Sequence, residues 1–185
     1  MSQVDPDGDG TPNPQSKFNG AARLSFVSSR TYTGNFSGFI DAAEECADMA
    51  FNASLPGWFM PWVSDDAELA PDKLENLTAN PLIPYVTMAG TVVADNRFDF
   101  VNGGLVSPIN VDENGDAVPD SPVWTGTDSV GDNIGTNCLG FNSSAGGNQG
   151  AAGSTAHADS GWTDDILLAC DQLARIYCIE VDHQP

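Results

Sequence analysis

The chain has 185 residues, enough for one domain with a sizeable core and too few for two of ordinary size. Apolar residues make up 41% of it, yet 26 acidic residues stand against six basic ones, for a formal net charge of −20. A surface this negative repels phosphate backbones and anionic lipid, which excludes nucleic-acid and membrane-surface roles and favours solubility and bound cations.

No run approaches the ~18 apolar residues of a transmembrane helix, so no membrane insertion is expected. The opening MSQVDPDGDG has neither a charged n-region nor an apolar h-region and is no signal peptide. The chain is therefore either cytosolic or a mature segment whose export signal has been removed. Residues 1–20 read as an acidic, Pro/Gly-rich linker or a partial calcium loop, and residues 21–185 as the folded domain. In DPDGDGTPNP, oxygens from Asp5, Asp7, Asp9, the Thr11 carbonyl and Asn13 fall at the alternating positions that wrap a calcium ion, with Gly10 at the sharp turn. Ser16 stands where a bidentate acid is expected. The run resembles the aspartate-rich calcium repeats of thrombospondin type 3 and of bacterial surface stalks, which implies a weakly held calcium.

In ARLSFVSSRTY, Leu24 and Phe26 alternate with polar residues, and Val27 and Thr31 suit a pleat, which predicts a strand. GFIDAAEECADMAFN predicts a helix: Phe39, Ala42, Ala43, Cys46, Met49 and Ala50 recur at helical spacing, opposite Asp41, Glu45, Asp48 and Asn52. Cys46 then points into the core. DDAELAPDKLENL predicts a second, short helix with Pro71 near its start. Trp58 and Trp62, in LPGWFMPW, are expected in the core. YVTMAGTVVAD reads as a hairpin turning at Ala89–Gly90, and PINVDENGDAVPD as one turning at Asn114–Gly115. Asp112, Asn114, Asp116 and Asp120 also alternate, but Ala117 occupies the glycine slot, so a turn is favoured over a metal loop. VWTGT and the closing LARIYCIEV complete the expected strands.

Four cysteines, Cys46, Cys138, Cys170 and Cys178, allow three pairings. No close C-x-x-C pair occurs, and His157 and His183 have no ligand spacing, so no zinc is expected. Two disulfides are the better account, and they place the protein in an oxidising compartment. An exported, extracellular or cell-surface protein follows.

Residues 143–162, SSAGGNQGAAGSTAHADSGW, have the composition of a flexible linker, yet they lie between Cys138 and Cys170. LSFVSSRTYTGNFSGFIDAAEECADMA, LPGWFMPWVSD, YVTMAGTVVAD, LVSPINVDENG, VWTGT and LARIYCIEV follow one another in an order similar to the C-type-lectin-like fold. The likeness is to its endostatin-like branch in bacterial surface lipoproteins, over roughly residues 22 to 181. The resemblance implies an α+β domain of two helices with antiparallel sheets and a long irregular loop region. It also implies the pairings Cys46–Cys178 and Cys138–Cys170. On that reading residues 143–162 belong to the loop region where such folds bind ligands. A short Gly-Ser bridge in place of residues 144–158 is then expected to leave folding intact.

The sugar-binding triplets EPN, QPD and WND are missing, as are the histidines and the basic patch of animal endostatin. Calcium-dependent sugar binding by the lectin route, zinc and heparin binding are therefore not expected. Asn142, Asn148, Gln149, His157 and Asp159 supply donors and acceptors, and Trp162 and Phe141 supply a flat apolar face. The first five with Trp162 form the candidate ligand site. Asp164 and Asp165 are adjacent rather than flanking a bond, and no G-x-S-x-G turn occurs, so no catalysis is expected. The functional expectation is a non-catalytic, adhesin-like domain binding a glycan or protein on another surface. The alternatives are a structural spacer or tip domain and, behind it, a hydrolase. Ligand identity and oligomeric state stay open.

Overall fold

The computed structural model of the protein describes residues 22–185; Asp5, Asp7, Asp9, Thr11 and Asn13 lie outside that range. The described chain is α+β, with two sheets, three helices and two disulfides. Strands β1 (Arg23–Val27), β2 (Trp58–Pro61), β3 (Tyr85–Val86), β4 (Val92–Ala94) and β8 (Tyr177–Val181) form a sheet in the order β2-β8-β1-β3-β4. Strands β5 (Pro122–Trp124), β6 (Gln149–Ser154) and β7 (Ile166–Ala169) form a second, antiparallel sheet with β6 in the middle. The first sheet is not wholly antiparallel as expected: β1 pairs with β3 in parallel.

Every residue of β1 is buried, including the polar positions expected to face water. The reason is that the five-stranded sheet has apolar packing on both faces. Leu24, Phe26 and Cys178 join one cluster with Cys46 and Met49, while Val27, Tyr177 and Ile179 join another with Trp62, Phe100 and Trp162. The buried Arg23 guanidinium is satisfied by Asp182 at 2.9–3.2 Å and by the Asn80 carbonyl at 2.9 Å.

Helix α1 (Gly38–Asn52) lies where periodicity predicts it, and helix α2 (Ala70–Leu77) lies within the expected DDAELAPDKLENL segment. α1 buries Phe39, Ala42, Cys46, Met49 and Ala50, and Pro71 sits in the first turn of α2, where its missing N–H costs nothing. The β3–β4 hairpin turns at Gly90, whose N–H donates to the Thr87 carbonyl. At Asn114–Gly115 the chain makes an isolated antiparallel bridge between Val111 and Ala117 rather than paired strands. Asp112 Oδ1 accepts the Asn114 and Asp116 N–H groups there, closing the turn. Trp62 is buried as expected, but Trp58 is 47% exposed. It sits at the outer end of edge strand β2.

The linker-like stretch is the largest departure from expectation. Residues 149–154 form β6, the central strand of its sheet, and residues 150–154 are buried. A Cβ added at Gly150 would stand 2.8 Å from Cys138 Sγ and 3.0 Å from the Trp124 ring, and one at Gly153 would overlap the Trp162 carbonyl. Small residues are needed there because backbone meets backbone and indole, not because the segment moves. Replacing residues 144–158 by a bridge would delete this strand, so the expected tolerance is withdrawn. Gly153→Ala is expected to destabilise by about 1–3 kcal/mol, the usual range for overpacking a close core. A thermal melt unchanged from the parent would refute that close approach.

Candidate functional site

The six residues expected to bind ligand do not come together. Asn142 precedes β6 in the chain and Asn148 and Gln149 stand at its start, while His157 and Asp159 follow its end, about 17 Å from that start at strand rise. Trp162 is no surface platform: it is fully buried against Trp62, Phe100 and Tyr177, with ring centroids 5.1–5.7 Å apart. Phe141 is buried too, stacked on Phe36 at 4.6 Å. Trp162 belongs to the apolar cluster with Val27, Tyr177 and Ile179, and Phe141 to the one with Trp124 and Cys138.

The far group is held by local contacts. His157 Nδ1 lies 3.1 Å from Asp159 Oδ1, and His157 Nε2 lies 3.9 Å from Asp165. Asp159 Oδ1 also accepts the Gly161 N–H, capping a short 3-10 turn at Ser160–Trp162. Burial, and then Asp128 and Asp165, push the Asp164 carboxyl above its ordinary range.

The near group surrounds a feature with no counterpart in the sequence patterns. Helix α3 (Cys138–Phe141) is one left-handed turn, with φ of 55° at Cys138, 60° at Leu139, 66° at Gly140 and 56° at Phe141. The Phe141 N–H donates to the Asn137 carbonyl at 2.6 Å and the Asn142 N–H to the Cys138 carbonyl at 3.2 Å, the helical pattern in mirror hand. Three of its four residues carry a Cβ, and each costs roughly 1–2 kcal/mol in this region.

Several neighbours hold the turn in place. The Cys138–Cys170 disulfide ties its first residue to the end of β7. Asn137, itself buried, accepts the Gly140 N–H at 2.9 Å and donates to Asp66 Oδ1 at 2.9 Å. The Phe141 carbonyl accepts the Ser37 N–H at the start of α1, and Asn142 Nδ2 donates to the Gly140 carbonyl at 2.8 Å. Asp65, beside Asp66, caps α1 through the Phe39 N–H at 2.8 Å, and its carbonyl accepts Asn133 Nδ2 at 2.6 Å.

The result is an apolar knob set among polar groups. Leu139 is 67% exposed at the tip, with Asn35, Ser37, Asp66 and Asn142 exposed around it. Asn148 is half-buried, its Nδ2 donating to Ser143 Oγ at 2.8 Å, and Gln149 is exposed. Of the expected ligand residues this place keeps Asn142, with Asn148 and Gln149 beyond it; Leu139, Asp66 and Asn35 were not foreseen. NCLGFN carries one faint signal, a glycine between asparagines, and nothing in it predicts positive φ at cysteine, leucine and phenylalanine.

Among the described residues, no group of three or more His, Cys, Asp and Glu side chains stands close enough to hold a metal ion. No helix among them is long and apolar enough to cross a membrane. No family model matches the chain, and no curated protein matches it.

Proposed function

We propose that this is an exported, non-catalytic recognition domain that binds a glycan or protein on another surface. The left-handed turn at 138–141 and its rim are its contact site. The observation that carries this reading is the turn itself. Three non-glycine residues are held in a costly conformation at the surface, over-determined by a disulfide and a set of side-chain hydrogen bonds. Strain of that kind persists only where the surroundings over-determine it, and it clusters at ligand-binding and other functional places. An exposed leucine ringed by amides and a carboxylate matches the apolar centre and polar rim of recognition surfaces. A C-type-lectin-like architecture of the endostatin-like branch belongs to the same reading. It is supported by the early helix tied to the last strand through Cys46–Cys178, and by the second bridge beneath the turn. Calcium at Asp5, Asp7, Asp9, Thr11 and Asn13 is proposed with it.

Glycan and peptide arrays, run with and without calcium, test the reading directly. A ligand found there is expected to lose about tenfold in affinity on Leu139→Ala or Asn142→Ala, the range of contacts near an interface centre. No ligand under any condition would favour a spacer. Leu139→Gly separates strain from packing. It is expected to raise stability by about 1 kcal/mol, because glycine has no Cβ penalty at φ 60° and little packing is lost. Binding is expected to fall in the same variant. A melt that does not rise, or binding that survives, would count against the turn as the site.

A further inference from the structure

A second surface, sharing no residue with the left-handed turn, lies along α1. Ile40, Glu44, Ala47 and Phe51 follow one another at helical spacing on its outer face. Trp58, on edge strand β2, forms the opposite wall of a furrow, with Leu55 near one end and Pro185 at the other. The two halves of the furrow share Ala47, Trp58 and Phe59, so they are continuous. Phe51 is 82% exposed, Ile40 57% and Trp58 47%. The fold gains little from leaving two aromatic rings and an isoleucine in water on one face, and contiguous apolar surface of this kind marks interaction sites.

Charge decides what fits. Among the described residues, the ionisable side chains lining the furrow are Glu44 and Asp48, with no Lys or Arg beside them, and α1 itself carries no Lys or Arg. Phe51 and Asp48 lie near the C-terminal end of the helix, where the dipole adds negative potential. We propose that the furrow docks a basic, apolar peptide segment of another protein. Its aliphatic side chains lie between Phe51 and Trp58, and its ammonium or guanidinium groups face Glu44 and Asp48 or the aromatic rings. A second copy of this chain is a poor occupant, since a two-fold contact would set Glu44 and Asp48 against their own kind between partners each at −20. Residues 1–20, with Asp5, Asp7 and Asp9 against one Lys17, carry the wrong sign as well.

The test titrates the full chain with a labelled leucine–lysine peptide at about 150 mM salt, where long-range attraction to the acidic surface is screened. A glycine–lysine peptide of equal charge and a leucine–glutamate peptide serve as controls. Saturable binding of the leucine–lysine peptide alone is expected, weakened about tenfold by Phe51→Ser or Trp58→Ser and severalfold by Glu44→Gln with Asp48→Asn. Phe51→Ser keeps the test clean, because a side chain so exposed contributes little to folding, and an unchanged melt verifies it. Equal binding of the glycine–lysine peptide, or indifference to both aromatic substitutions, overturns the proposal. So does a concentration-dependent dimer in sedimentation that Phe51→Ser abolishes, which would assign the furrow to self-association.

Discussion

Replacing both Cys46 and Cys178 by serine is expected to remove about 5 kcal/mol of stability on the chain-entropy account of a bridge this long. The bridge spans 132 residues of sequence, joins α1 to β8, and has both sulfurs buried in one apolar cluster. Its loss therefore frees most of the described chain in the unfolded state and puts two hydroxyls into that cluster. Domains are typically stable by about 5–15 kcal/mol in total, so the variant is expected to sit near the edge of folding at room temperature. Cys138–Cys170 closes 32 residues, for which the same account gives about 4 kcal/mol. Its removal also lets the left-handed turn relax, and that release offsets part of the loss. Both double-serine variants are thus expected to lower the denaturant midpoint of the whole domain, the first by more, and the second also raises hydrogen exchange at residues 137–142. Equal midpoints for the first variant and the parent in urea would show that the bridge is not what holds α1 to the sheet.

How far the sequence announced this molecule depends on which force set each element. α1 was legible over its full length because one side of it must meet a core, and burial at helical spacing writes itself into the residue order. The short helix with Pro71 and the Gly90 hairpin were legible for local reasons: ring geometry in one, a turn glycine in the other. β6 was not legible, because QGAAGS lacks the β-branched and aromatic residues that mark strands. What selects its residues is distance to Cys138, Trp124 and the Trp162 carbonyl, and those neighbours are set by the tertiary fold. The same holds for the candidate site. Asn142 could be picked out as a polar residue in a Gly-rich neighbourhood, but Leu139 gains its meaning from four consecutive positive φ angles. Those angles are imposed by a disulfide and by Asp66, far away in sequence. Trp162 was misplaced for the converse reason: an aromatic at the end of a polar run looks like a platform, and here it is the centre of a ring cluster.

Acidity brings the last expected result, a loss of stability as pH rises from about 4.5 to about 7, traced to Glu180. This carboxylate on β8 is largely buried, and burial pushes its pKa up to about 7. The Leu24 N–H, which donates to Glu180 Oε2 at 2.6 Å, and the Arg23 charge pull the other way, while Asp182 adds to the rise. Asp182 shows the opposite balance. Burial alone would raise its pKa, but its hydrogen bonds with Arg23 and the Ala79 N–H hold it below the ordinary range. The sign for Glu180 follows from linkage. An acid with a folded pKa above its unfolded value stabilises the fold fully below the unfolded pKa, and that contribution is lost as pH climbs through the folded one. A shift from 4.5 to about 7 corresponds to about 3 kcal/mol at the upper limit, reached when Glu180 is ionised in both states. Glu180→Gln keeps an oxygen for the Leu24 N–H and removes the titration. The variant is therefore expected to match the parent at pH 4 and to exceed it above pH 7. If urea midpoints of parent and variant run parallel from pH 4 to pH 8, the buried carboxylate does not set the pH dependence. If instead the curves diverge across that window, the cost of holding the Glu180 carboxylate charged at its buried place on β8 is what lowers stability.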